Sequence, residues 1–197
     1  MVSRKSISKP YSILFVEGDT EVIFYRRMKN EICPGINATI KNLGGLWDIN
    51  KKVLDKSTTI LEAHPDKQFR VEICIDRESR SGKSQIDIEI IRKELNQYGN
   101  MIHNGVFLCE AVQDIESWFF HDIEGIYRHL RIPLRKLKKS TYKPVEKLNH
   151  RVLGKLFKSA GKDYRKGHAS QNFIDHLDLR KIIDNCTPLA ELIARIQ

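Results

Sequence analysis

No apolar run in this 197-residue chain approaches the roughly 20 residues that a membrane-spanning helix requires. The apolar run that follows Arg4, Lys5 and Lys9 is also too short for a secretory signal, so a cytoplasmic protein is expected. The four cysteines, Cys33, Cys74, Cys109 and Cys186, are scattered, and none forms a CxxC pair. Nothing therefore indicates a zinc site or a redox dithiol. Cys74 and Cys109 lie in apolar runs and read as buried, reduced thiols. A Gly-x-x-x-x-Gly-Lys loop is missing, which counts against nucleotidyl transfer. There is no internal repeat and no low-complexity tract. Acids are scarce in one place. Between Arg128 and Lys166, 14 Lys or Arg stand against two acids, Glu146 and Asp163. The chain carries +9 overall, of which that segment supplies +12, leaving −3 for the remainder. Such a division points to phosphate binding by the basic segment and a separate task for the acids elsewhere.

What is present is an ordinary core-forming composition, 41% hydrophobic and 30% charged, enough for one good core. The chain is organised around Ile13-Leu14-Phe15-Val16-Glu17-Gly18-Asp19-Thr20-Glu21. Four apolar residues read as a strand buried on both faces. Gly18 permits a sharp exit, and Asp19 or Thr20 can cap a helix running to about Asn30. Further strands are expected at Ile36–Lys41, Phe69–Ile75 and Val106–Cys109. Helices are expected from Leu46 to about Ala63, from Gln85 to about Tyr98 with Ser84 as cap, and from Asp114 to His121. Strand–helix alternation over the first 110 or so residues predicts an α/β fold, a mostly parallel sheet flanked by helices. From about Asp122 the pattern becomes helical and basic. We divide the chain into an α/β domain, 1–125, and a basic helical C-terminal extension packed on it, 126–197.

Three strands end in acids: Glu17, then Asp76 with Glu78, then Glu110 followed by Asp114 and Glu116. In a parallel sheet these ends share one edge. Carboxylates gathered there repel one another and need a cation to coexist. Hard oxygen ligands favour Mg²⁺ or Mn²⁺. Lys166 could steady phosphate charge beside them. Trp118 and Phe119 have helical spacing and read as core. Tyr142, within Lys138-Lys139-Ser140-Thr141-Tyr142-Lys143, is the better candidate for stacking a base. Lys138, Lys139, Lys143, Arg165 and Lys166 are candidates for holding a nucleic-acid backbone.

Val16-Glu17-Gly18 followed by a later strand ending in Asp76-Arg77-Glu78 resembles the Toprim domain. That domain is shared by topoisomerases, primases, small ribonucleases and the overcoming-lysogenization-defect nucleases. The Glu-Gly-x-Thr-Glu form resembles small stand-alone bacterial Toprim-like proteins, often encoded beside an ATPase in defence or mobile loci. Glu110–Phe119 and Tyr164–Ala169 also resemble stretches of that group. The resemblance implies catalytic roles for Glu17 and Asp76, with Lys166 the third catalytic candidate from its own chemistry, and Mg²⁺ or Mn²⁺ held by Glu17, Asp76, Glu78, Glu110 and Glu116. Glu78 departs from the pattern, which has Asp there, and reaches about one methylene further. The expected function is a Mg²⁺-dependent nuclease acting on DNA or RNA in antiviral defence or a mobile element. Expected partners are nucleic acid, an ATPase encoded nearby and a second copy of the chain, without a membrane. The rival expectation is a non-catalytic subunit that binds nucleic acid or an ATPase.

Overall fold

A computed structural model describes residues 10–77 and 85–197. Four strands form one parallel sheet: β1 (Tyr11–Val16), β2 (Ala38–Asn42), β3 (Phe69–Asp76) and β4 (Ile102–Ala111). Their order is β2-β1-β3-β4. Each of the three connections is bridged by a helix of at least two turns, as parallel pairing demands. These are α1 (Asp19–Ile32), α2 (Ile49–Ala63) and α3 (Ile88–Leu95). The chain moves from β1 outward to β2, then returns to place β3 on the other side of β1. The crevice between the carboxyl ends of β1 and β3 is thus the point where the winding reverses, and open α/β sheets bind their ligands there.

Alternation along β1 assigns its side chains to two cores. Ile13 and Phe15 pack with Val71, Ile73 and Ile75 beneath α2 and α3. Leu14 and Val16 pack with Cys74, Cys109 and Ala111 beneath α1 and the helices of the last third. Those helices are α4 (Ile115–Phe119), α5 (Ile123–Leu130), α6 (His150–Ser159), α7 (Gln171–Ile174), α8 (Leu179–Asp184) and α9 (Thr187–Ile196). Leu153, Phe173, Leu189 and Leu192 belong to the same core as Phe24 and Met28 of α1. Residues before and after position 126 therefore share one apolar interior. Burial of this kind stabilises by roughly 1.5–3 kcal/mol per large side chain before entropy is counted. All four cysteines are buried and free, as the apolar runs around Cys74 and Cys109 predict.

Element edges differ from the sequence reading for local reasons. α2 starts at Ile49, not Leu46, because Gly44, Gly45 and Asp48 all take positive φ. That leaves residues 43–48 as a loop with Trp47 at 86% exposure. α3 starts at Ile88, where the Asp87 carboxylate accepts hydrogen bonds from the amides of Glu89 and Ile90. The expected Ser84 cap lies outside the described residues. β4 is longer than the four residues expected, pairing with β3 as far as Asp76↔Ala111. Among the described residues, no helix is long and apolar enough to cross a membrane.

Deep in the helical part, the fully buried Asp122 joins α5 to α8. Its carboxylate accepts from the amides of Gly125 and Asp178 at 3.2 and 2.9 Å and from Lys181 Nζ at 3.3 Å. A Cβ at Gly125 would lie 1.8 Å from Asp122 Oδ2, so only glycine fits there.

Candidate active site

β1 and β3 bring Glu17 and Asp76 to the two sides of the switch crevice. Asp76 is 2% exposed, and its Oδ1 accepts from the Ile115 amide at 2.9 Å. This bond ties the tip of β3 to the start of α4 and aims Asp76 at Glu116, the second residue of that helix. Glu116 is fully buried. Its Oε1 accepts from the Tyr164 hydroxyl at 2.8 Å, and its Oε2 lies 3.4 Å from Lys166 Nζ. Glu21, in the first turn of α1, completes the group and is 6% exposed. The four carboxylates and Lys166 interact electrostatically. Burial raises the Asp76 pKa well above the usual carboxylate range, with Glu21, Glu17 and Glu116 adding to the rise and Lys166 opposing it. Burial also raises Glu21, to about 7, with Glu116 and Glu17 contributing. Glu116 is raised chiefly by burial against the pull of Lys166. Burial depresses the Lys166 ammonium, but Glu116, Asp76, Asp114 and Glu21 together hold it up at about 12.

The glycine after Glu17 has a different purpose from the one its sequence context suggests. Gly18 has φ −149°, extended backbone open to any residue. What it supplies is space: a Cβ there would stand 3.2 Å from Glu21 Oε2. Glu17-Gly18 therefore makes room for a carboxylate three residues on. Glu21 was missed in the sequence because an acid in a helix's first turn has a routine explanation, complementing the helix dipole. Its spacing of four from Glu17 was the available signal.

Glu110 stands apart from this group. It is aligned with Ile75, one residue out of phase with Asp76, so the pleat turns it to the opposite face. There its Oε2 accepts from Arg77 Nε at 2.6 Å. β4 runs one residue past the expected strand-end acid, to Ala111. Glu78 lies outside the described residues. Asp114 is 2% exposed and anchors α6: its Oδ2 accepts from the His150 amide at 2.8 Å and lies 2.6 Å from His150 Nδ1.

The basic candidates divide by location. Lys166 sits on the acid cluster, with Arg165 exposed beside it. Lys138 and Lys143 are also exposed, while Lys139 pairs with Glu124 at 2.5 Å. Lys139, Tyr142 and Lys143 line a separate cavity of about 530 Å³ with Phe120 and Lys181. Tyr142 is not a free platform: its ring stacks on Phe120 at 5.6 Å and its hydroxyl meets that of Tyr127 at 3.0 Å. Trp118 and Phe119 are core, as their spacing predicts. The exposed aromatic on the carboxyl edge is Trp47. Its loop is fixed to β1, since Leu43 donates to the Val16 carbonyl at 2.8 Å and Gly45 to the Glu17 carbonyl at 2.9 Å.

A hard divalent cation fits the donor set at the switch crevice. Among the described residues, the four carboxylates outnumber the nearby Lys166 ammonium, and Glu116 Oε2 is buried without a hydrogen-bond partner, 3.4 Å from Lys166 Nζ. The group is not already drawn into a ligand shell. Among the described residues, no three Asp, Glu, His or Cys side chains are placed together to hold an ion.

Fold and site define a parallel α/β protein with an acidic, lysine-countered cluster at its switch point. This is the architecture that the Toprim resemblance implies. No family model matches the sequence, and no curated protein matches it. Among solved structures, the chain is similar to the C-terminal region of the Burkholderia pseudomallei OLD protein. The identity is 15%, with 90% of this chain and 97% of that one covered, and the TM-score is 0.49.

Proposed function

We propose that this chain is a metal-dependent nuclease that hydrolyses phosphodiester bonds in DNA or RNA. The observation that carries the proposal is the convergence of Glu17, Glu21, Asp76 and Glu116 on the switch crevice with Lys166 beside them. Glu17, Glu21, Asp76 and Glu116 would hold Mg²⁺ or Mn²⁺. When bound, such an ion supplies Lewis acidity at phosphorus oxygens and a more acidic water. The chain's own groups do the rest. Lys166 Nζ offsets the phosphate charge that grows during displacement. The Tyr164 hydroxyl fixes one oxygen of Glu116 and leaves the other for Lys166. Glu21, with its pKa near 7, takes up a proton at neutral pH more readily than an ordinary glutamate. Trp47 offers an uncovered ring face for a base on the same edge. Glu110 is left out of the ligand set because of its face and its pairing with Arg77.

The test is cleavage of plasmid, single-stranded DNA and transfer RNA with Mg²⁺ or Mn²⁺. Activity lost in Asp76→Asn supports the proposal, and undiminished activity in that variant overturns it. A second reading, a binding subunit without chemistry, is favoured by the lack of a preassembled ligand shell among the described residues. Calorimetric titration separates the two. Divalent ions that fail to bind, or that bind equally well to Glu17→Ala, favour the binding subunit. An ATPase partner and a role in antiviral defence enter the proposal through the Toprim resemblance.

A further inference from the structure

α6 presents two faces. Leu153, Leu156 and Phe157 are buried in the core. Arg151, Lys155 and Lys158, spaced by four and three, form an exposed stripe on the outer face. This stripe lines a groove of about 280 Å³ that continues onto His150, Tyr164 and Lys166. Among the described residues no acid lines the groove, so Arg151, Lys155 and Lys158 are not neutralised from within it. One end of the groove is the carboxylate cluster itself, because Tyr164 and Lys166 contact Glu116 and His150 contacts Asp114.

Gly154 lies in the middle of α6 and lines the same groove. Glycine weakens a helix interior relative to alanine. Packing does not require it here, since a Cβ at 154 would meet nothing within 4 Å. Nor does Gly154 have a positive φ. What the missing side chain leaves is open groove floor between Arg151 and Lys158.

We propose that the α6 groove is the track for a phosphodiester backbone, with Arg151, Lys155 and Lys158 on successive phosphates and Gly154 giving the strand room. The track rests on the nuclease reading and adds the path by which the strand reaches the carboxylates. It is a different surface from the Lys138–Lys143 segment, which lines its own cavity beside Phe120 and Lys181. A single strand suits it better than a duplex, because the groove is one helix face wide.

The experiment measures binding of a fluorescein-labelled 20-nucleotide single-stranded DNA, its RNA equivalent and the matching duplex. Anisotropy is read in EDTA, so that cleavage does not interfere, over a range of salt concentrations. The variant Arg151→Ala/Lys155→Ala/Lys158→Ala should bind single strands at least about tenfold more weakly, and its log K against log salt slope should shrink by about two. A charge-matched control, Lys56→Ala/Lys67→Ala/Lys93→Ala, lies on α2, α3 and the loop before β3. It should change both quantities far less. Gly154→Leu should weaken binding while Gly154→Ala raises the melting temperature, which separates obstruction from loss of fold. Equal slopes in the stripe and control variants overturn the track, as does a wild-type protein that binds none of the strands. Failure of the track is distinguishable from failure of the nuclease reading. Cleavage that persists in the stripe variant sinks the first, while stripe-dependent binding without Mg²⁺- or Mn²⁺-dependent cleavage sinks the second.

Discussion

Replacing Glu21 with glutamine should stabilise the metal-free protein, increasingly so as pH rises. Glu21 is 6% exposed, and burial with Glu116 and Glu17 nearby raises its pKa from an ordinary 4.5 to about 7. A raised carboxyl pKa means that the folded state binds the proton more tightly than the unfolded state does. Its contribution is therefore fully favourable below pH 4.5 and is lost progressively up to about pH 7, where the folded group ionises. The loss amounts to about 2 kcal/mol at pH 6 and about 3 kcal/mol at pH 8. Glu21→Gln keeps the shape and has no proton to lose. Urea melts in EDTA should give coincident stabilities near pH 4.5 and diverge above pH 5, with the variant ahead. At pH 8 the gain corresponds to about 6–12 °C in Tm for a domain of this size. Saturating Mg²⁺ should narrow the gap, because a cation at the site favours the ionised carboxylate that only the wild type has. A pH-independent offset, or a wild type that is the more stable protein at pH 8, would refute the crowding argument.

Asp76→Asn keeps an acceptor for the Ile115 amide and, like Glu21→Gln, removes a crowded buried charge, so its circular dichroism should match wild type and its Tm in EDTA at neutral pH should rise, while divalent-dependent cleavage drops by about 100-fold or more. In a Trp118→Phe background Trp47 is the sole indole, and single-stranded DNA should quench its fluorescence. Trp47→Ala should weaken that binding by about 1–3 kcal/mol, measured by anisotropy. An unquenched indole in a complex of wild-type affinity would remove Trp47 from the interface. Asp122→Ala strips the partner from two buried amides and Lys181, and chemical denaturation should show a loss of about 3–5 kcal/mol. Gly125→Ala should fail comparably, through the 1.8 Å clash with Asp122.

The sheet was legible because a strand buried on both faces leaves a continuous apolar run, as in Ile13–Val16, and the acid at its end marks a boundary. The edge on which Glu17 and Asp76 meet follows from parallel pairing alone. Which face each acid occupies does not. Glu110 and Asp76 both end strands, yet a one-residue difference in register separates them, and register is fixed by long-range pairing. Glu21 and Trp47 were hidden by having ordinary local explanations, one as a dipole-complementing acid and the other as part of an expected helix. Tyr142 looked free because its neighbours in sequence are lysines, but its neighbours in space are Phe120 and Tyr127. Arg151, Lys155 and Lys158 fall within the basic segment, but composition does not reveal that they share one face. That needed the helix, and the buried Leu153 and Phe157 that orient it.

Tyr164 and Lys166 reach Glu116 from nearly 50 residues later in the chain, and Gly167 docks on Thr20 across 147 residues. On a ribosome the acids of β1 and β3 emerge long before the hydroxyl and ammonium that complete their surroundings. The cluster therefore cannot be assembled until most of the polypeptide has been made. Under the proposed nuclease reading, synthesis order itself acts as a timer, withholding cleavage until residues 164–167 can close over the acids of the sheet.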